Sequence, residues 1–189
     1  MELLSIPEQV TALFTDLSAF ARLAADLTME NYRPKRYDFF DYPLGISWLG
    51  IPKKQVTNPQ EAFAALFLLD LHYQQDWIYS EAERTNPDQF IIDRLPTDQW
   101  KQLLQDKWIA DHFGLPHRQL RVIPEEPAVF LQKFLWWMPE NTRLEDQTSL
   151  KAAATPTQWV YSLFPDAFYD SYFGQTEEYY FFAESGVYD

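Results

Sequence analysis

Residues 58–69 read NPQEAFAALFLL, and this stretch predicts the helix around which the fold is built. Asn58 suits the capping position of a helix, Pro59 the first helical position, and Glu61 the third. The residues from Ala62 to Leu69 are apolar on every face, and a helix of that kind is buried in a protein core. We therefore expect this helix at the centre of the molecule.

The composition of the whole chain limits the classes of protein to which it belongs. Its 189 residues suit one domain, and 15 Lys and Arg against 28 Asp and Glu give a net charge of −13. The absence of Cys excludes disulfide scaffolds, thiolate metal sites and thiol nucleophiles. The chain has only five glycines, which argues against a phosphate-binding loop, and its negative charge argues against a nucleic-acid partner. We expect one acidic globular domain over residues 1–189 that needs no cofactor.

Helix caps and the helical spacing of apolar residues predict four more helices. Ser5 and Glu8 form a capping box ahead of the first, Thr97 caps another, and Pro139 closes a third. A second capping box at residues 155–158 opens a short final helix. The four helices span residues 5–27, 97–109, 128–138 and 155–163. The inner face of the helix at 128–138 is predicted to hold Phe130, Leu131, Phe134, Leu135 and Met138.

The strand signals in the sequence are shorter and weaker. Residues 44–51 fit a short strand, within a region from 31 to 58 that is otherwise irregular. Residues 120–123 alternate weakly, residues 177–182 are rich in strand-forming side chains, and residues 139–154 are predicted as a polar loop or hinge. We therefore predict a mainly α-helical fold, a single compact domain of about five helices with two or three short strands. An α+β fold is the alternative.

The start of the chain and its hydrophobic runs predict a cytoplasmic protein. The first eight residues, MELLSIPE, lack the basic and apolar regions of a signal peptide. The longest apolar run, Ala62–Leu69, is far shorter than the roughly 18–20 residues that cross a bilayer. No membrane insertion is expected.

Three histidines are candidates for acid–base chemistry or metal binding: His72, His112 and His117. His72 and Asp76 share a helix face, but one imidazole and one carboxylate make only half of a metal site. A solvated polar face is the favoured interpretation, and no metal site is predicted. Asp111, His112 and His117 lie around a predicted helix end and form the candidate acid–base site.

Aromatic and acidic residues concentrate in the C-terminal segment, residues 164–189, which reads FPDAFYDSYFGQTEEYYFFAESGVYD. It contains ten aromatic residues, six acidic residues and no basic residue. So many aromatic side chains are unfavourable in water, so the segment packs either on its own core or on a partner. Aromatic residues among acidic ones suit an interface with a basic partner. The predicted partner-binding residues are Tyr169, Tyr172, Phe173, Glu177, Glu178, Tyr179 and Tyr180.

These features favour a non-catalytic protein-binding module, such as an assembly factor, an accessory subunit or an inhibitor. Its acidic aromatic surface would engage a protein partner that has a basic surface. Two alternatives stay open. One is a small enzyme with an acid–base site around His112 and His117, and the other is an acidic charge mimic that occupies a basic groove.

Overall fold

A six-stranded antiparallel sheet with helices on both faces forms the fold. The computed structural model describes residues 31–73, 122–163 and 169–187, together with residues 5, 8, 9, 12, 23 and 27. The strands are β1 (Lys35–Asp41), β2 (Leu44–Pro52), β3 (Ile123–Glu125), β4 (Thr157–Ser162), β5 (Tyr169–Thr176) and β6 (Tyr179–Val187). The α-helices are α1 (Pro59–Tyr73), α2 (Pro127–Trp136) and α3 (Leu144–Ala154). The strand order is β1-β2-β6-β5-β4-β3, and every neighbouring pair is antiparallel.

The prediction of a mainly α-helical fold with five helices is wrong. The described residues form six strands and three α-helices, so the architecture is α+β, the alternative that the sequence left open. The physical reason is that helices cover both faces of the sheet. Inner strands then carry apolar side chains on both faces, so the alternation of apolar and polar residues that marks a strand in a sequence is weak.

Three segments differ from their predicted form. Residues 155–163, predicted as a short helix, contain strand β4, which pairs with β3 and β5. Residues 139–154, predicted as a polar loop or hinge, contain helix α3, and strand β1 lies in a region predicted as irregular. Strand β4 depends on pairing with β3 and β5, β1 forms a hairpin with the neighbouring β2, and α3 is rich in the good helix formers Leu, Glu, Gln, Lys and Ala. The predicted helix at 97–109 and most of the one at 5–27 lie outside the described residues.

Helix α1 is confirmed as the buried helix that the sequence predicts. Asn58 Oδ1 accepts a hydrogen bond from the backbone N–H of Glu61 at 2.9 Å, and Glu61 accepts one from the backbone N–H of Thr57 at 2.9 Å. The side chains from Ala62 to Leu69 are all buried. Within the described ranges, no helix is both long and apolar enough to cross a membrane.

One face of the sheet packs against α1. The hydrophobic cluster on this face joins the buried side chains of α1 to Leu49 and Ile51 of β2, Phe173 of β5 and Phe182 of β6. The ring of Phe63 in α1 meets the rings of Phe173 and Phe182 edge-on, each with centroids 5.1 Å apart. Aromatic packing of this kind fixes α1 over the inner strands.

The opposite face of the sheet packs against α2 and α3. Phe130 and Phe134 of α2 are buried, and Leu131, Leu135 and Met138 pack partly buried against the same cluster, so the predicted inner face of this helix is confirmed. From the sheet, the cluster receives Ile46, Trp48, Val160, Tyr172, Phe181 and Ala183. The inner strands therefore contribute buried apolar side chains to both faces, as a sheet between two helical layers requires.

Candidate functional site

The C-terminal segment supplies β5 and β6, which lie inside the sheet rather than at its edge. Tyr172 and Phe173 are buried on opposite faces, and Tyr180 is buried as well. These three predicted partner-binding side chains therefore lie in the core of the folded chain. The aromatic density that suggested an interface is also the pattern of strands buried on both faces.

The other predicted partner-binding residues lie around the β5–β6 turn. Glu177 and Glu178 are exposed, and Tyr179 is half-buried with its ring edge-on to Trp48 at 5.7 Å. The backbone N–H of Tyr179 donates to Thr176 Oγ1 at 3.0 Å, which holds the turn closed. The turn presents two carboxylates to solvent. The side chain of the remaining predicted residue, Tyr169, lies outside the described residues.

A row of polar residues crosses the sheet beneath the C-terminal part of α1. Asp38, Ser47, Glu184 and Ser171 occupy directly paired positions on β1, β2, β6 and β5. Ser47 Oγ donates a hydrogen bond to Asp38 Oδ1 at 2.7 Å, and Arg36 forms an ion pair with Asp38. Residues two apart on a strand share a face, so this row lies on the face that α1 covers.

Asp70 of α1 lies close enough to this row for the charges to interact. Burial raises the pKa of Asp70 well above its ordinary value, the charges of Glu184 and Asp38 raise it further, and Arg36 opposes them. The protonated form of Asp70 is therefore favoured. Among the described residues, no group of three or more acidic or imidazole side chains is arranged to hold a metal ion. The group of Arg36, Asp38, Asp70 and Glu184, which we call the carboxyl cluster, brings ionisable groups of α1 and the sheet together.

A different surface feature lies where the β1–β2 turn meets the loop between α2 and α3. The side-chain amide of Asn141 donates a hydrogen bond to Asp41 Oδ2 at 3.1 Å, which joins the two connections. Tyr42 follows Asp41 in the chain, and Leu144 and Trp136 lie within five residues of Asn141. The side chains of these three residues are largely exposed: 80% for Tyr42, 78% for Leu144 and 73% for Trp136. With Leu44, they are four of the seven large hydrophobic side chains that are exposed in the described part of the chain. We call this group the edge patch: Tyr42, Leu44, Trp136 and Leu144.

Acidic side chains accompany the edge patch. Residues 41–44 and 136–146 contain four carboxylates and one guanidinium, which together carry a net charge of −3. The guanidinium, on Arg143, is already paired: its Nη1 lies 3.2 Å from Glu145 Oε1 and its Nε 2.9 Å from Asp146 Oδ2. The edge patch therefore combines exposed apolar surface with an excess of negative charge. The four carboxylates belong to Asp41, Glu140, Glu145 and Asp146.

The edge patch was missed by sequence reasoning because its two halves are distant along the chain. Asp41 and Asn141 are 100 residues apart, and neither segment stands out in composition. Pro43 and Pro139 mark both segments as connections between elements, but that signal does not show that the connections meet. Their meeting depends on α2 and α3 lying across the sheet.

The candidate acid–base residues Asp111, His112 and His117 lie outside the described residues. The backbone of His72 belongs to α1, but its side chain and Asp76 also lie outside them. The enzyme hypothesis therefore stays a prediction of the sequence.

Comparisons of the chain with protein-family models, with curated proteins and with solved structures find no match. A functional argument therefore has to come from the chain's own residues. Within the described residues, the edge patch contains the three most exposed large hydrophobic side chains, Tyr42, Leu144 and Trp136.

Proposed function

We propose that this chain is a non-catalytic protein-binding module that engages its partner through the edge patch. The observation that carries the proposal is the exposure of Tyr42, Trp136 and Leu144 in two distant segments that the Asn141–Asp41 hydrogen bond joins. Scattered exposed hydrophobic residues need no explanation, whereas large apolar side chains grouped on one surface are typical of interaction sites. Trp and Tyr are also the residues that most often dominate binding energy at protein interfaces.

The polar contacts around the edge patch support the proposal, because they hold its backbone in one arrangement. Besides the Asn141–Asp41 bond, the side-chain amide of Gln147 donates to the carbonyl oxygen of Thr142 at 2.8 Å. At the start of α3, Arg143 forms ion pairs with Glu145 and Asp146. A surface that is ordered before binding loses less conformational entropy when a partner docks.

The proposal is tested by site-specific crosslinking in the cells that make the protein. A photo-reactive amino acid replaces Tyr42 or Leu144, and crosslinked products are identified by mass spectrometry. We expect one defined protein to be captured from both positions. The matched control is position 129, because Val129 is also an exposed apolar residue but lies at the start of α2. Equal capture from position 129, or no protein captured from 42 and 144, would contradict the proposal.

A further inference from the structure

We propose that the partner presents an apolar stripe flanked by Lys and Arg side chains, and that these cations face the carboxylates of the edge patch. This inference rests on the proposed function and names the chemistry of the partner. Tyr42, Trp136 and Leu144 supply the apolar contacts, and Glu140 and Glu145 supply exposed negative charge beside them. Apolar contact gives binding energy, and complementary charge selects and orients the partner.

The charge of the edge patch favours a basic partner over two other occupants. A second copy of the chain would place two patches of net charge −3 against each other, in a protein whose total charge is −13. A membrane with anionic lipids would likewise repel the carboxylates of residues 140–146. Like charges brought together at an interface cost binding energy, whereas Lys and Arg on a partner recover it.

The β5–β6 turn is the alternative acidic surface on the described structure, but two lysines lie near it. The pKa of Lys35 is raised, first by its hydrogen bond with Tyr37 and further by nearby groups that include the carboxylate of Glu178. The backbone N–H of Lys53 donates to the carbonyl oxygen of Glu178 at 2.8 Å, which places a second lysine beside the turn. Two carboxylates with two lysines give little net attraction for a cation.

The two acidic surfaces lie at opposite ends of the sheet, which makes them separable by experiment. Leu44 pairs with Val187 at one end of β2, and Pro52 pairs with Tyr179 at the other. At ~3.4 Å per residue the ends of this strand are about 27 Å apart. A substitution at the β5–β6 turn therefore leaves the edge patch unaltered.

The experiment uses the full chain and two synthetic amphipathic helical peptides with the same leucine stripe. One peptide carries lysines on its polar face and the other carries glutamates, and the Kd of each is measured by fluorescence anisotropy. Two variants of equal charge are compared: Glu140→Gln with Glu145→Gln at the edge patch, and Glu177→Gln with Glu178→Gln at the turn. A third variant, Leu144→Ser, is compared with Val129→Ser.

We expect the lysine peptide to bind and the glutamate peptide not to bind. The edge-patch charge variant should raise the Kd of the lysine peptide about three- to tenfold, since each exposed ion pair contributes modestly. Leu144→Ser should raise it about tenfold. The turn variant and Val129→Ser should leave it within about twofold of the unmodified protein.

Several outcomes would overturn the inference. One is equal weakening by both charge variants, which would indicate attraction to the overall charge of the chain. Another is binding of the glutamate peptide to the edge patch. Leu144-dependent binding to phosphatidylcholine vesicles, with or without phosphatidylserine, or a Leu144-dependent dimer in sedimentation, would assign the patch to a different occupant.

Failure of this inference and failure of the proposed function give different results. If a protein is crosslinked at positions 42 and 144 while the lysine peptide does not bind, the function stands and the basic chemistry of the partner is wrong. If no protein is crosslinked at either position, the proposed function itself is wrong.

Discussion

Phe181 lies at the centre of the sheet with a glycine directly opposite it on each neighbouring strand. Gly50 of β2 and Gly174 of β5 are its two cross-strand partners. A glycine usually weakens a strand, but here the missing side chains leave room for the rings of Phe181 and Trp48, which stack at 5.7 Å. A Cβ at position 50 would come within 2.3 Å of Trp48 Cη2. The two glycines are therefore part of the aromatic packing.

At the residue scale, we expect Gly174→Ala to destabilise the protein. The added Cβ would lie 2.4 Å from Phe181 Cζ and 3.0 Å from the carbonyl oxygen of Trp159. Either the ring of Phe181 or the backbone of the strand therefore has to move. The free energy of unfolding, measured by urea denaturation, should fall by about 1–3 kcal/mol. In a Phe181→Leu background the same substitution should cost less, because the ring is absent. An equal cost in both backgrounds would show that the penalty does not come from Phe181.

At the element scale, helix α1 packs on the sheet through apolar contacts along its length, and polar groups act near its two ends. Asn58 caps its first turn, and Asp70 belongs to the carboxyl cluster near its last turn. The cluster brings three carboxyl groups to one guanidinium, so a proton on Asp70 reduces the repulsion. The protonation of Asp70 should therefore influence how firmly α1 packs.

We expect the carboxyl cluster to make stability depend on pH. The pKa of Asp70 in the folded protein lies above its ordinary value of 3.8, so the folded state holds the proton more tightly than the unfolded state. This contribution to stability is complete below pH 3.8 and is lost as the pH rises through the folded pKa. Asp70→Asn, which resembles the protonated form, should be more stable than the unmodified protein at neutral pH and show a flatter pH dependence.

The measurement is urea denaturation at a series of pH values from about 4 to 8, where the linkage is expected to act. Glu140→Gln is the matched control, since Glu140 is an exposed carboxylate outside the cluster. Its pH dependence should follow that of the unmodified protein. A variant Asp70→Asn that is less stable at every pH would indicate instead that Asp70 acts as a carboxylate paired with Arg36.

At the scale of the whole molecule, the edge patch exists because α2 and α3 lie across one face of the sheet. The loop between these helices then reaches the β1–β2 turn, where Asn141 meets Asp41. The core clusters above and below the sheet are complete without Tyr42, Trp136 or Leu144. Folding and the proposed binding therefore use different residues.

This separation predicts that the edge patch can be altered without loss of the fold. The variant with both Tyr42→Ser and Leu144→Ser should change the free energy of unfolding by no more than about 0.5 kcal/mol per substitution, because both side chains are largely exposed. Partner capture by a crosslinker at position 136 should be lost in the same variant. Circular dichroism and urea denaturation check the first expectation. A large loss of stability would mean that the patch packs within the molecule.

Elements whose signals lie within a few neighbouring residues are predictable from the sequence. The cap at Asn58 and the apolar run from Ala62 to Leu69 were enough to predict α1 and its burial. At residues 5–8 the backbone N–H of Ser5 donates to Glu8 Oε2 at 2.7 Å, so the carboxylate half of the predicted capping box is present. Caps and helical periodicity depend on residues within a few positions of each other, so they can be recognised in the amino-acid sequence.

The fold class, the place of the C-terminal segment and the candidate site depend on packing between segments that are distant along the chain. Strand β4 forms because it pairs with β3 and β5, although its sequence begins with a helix-capping pattern, and the strand predicted at residues 177–182 becomes β6, an inner strand of the sheet. The same pairing buries Tyr172, Phe173 and Tyr180, whose composition alone suggested an interface. The edge patch joins segments 100 residues apart, and contact between such segments depends on the packing of α2 and α3 over the sheet, which local sequence does not encode.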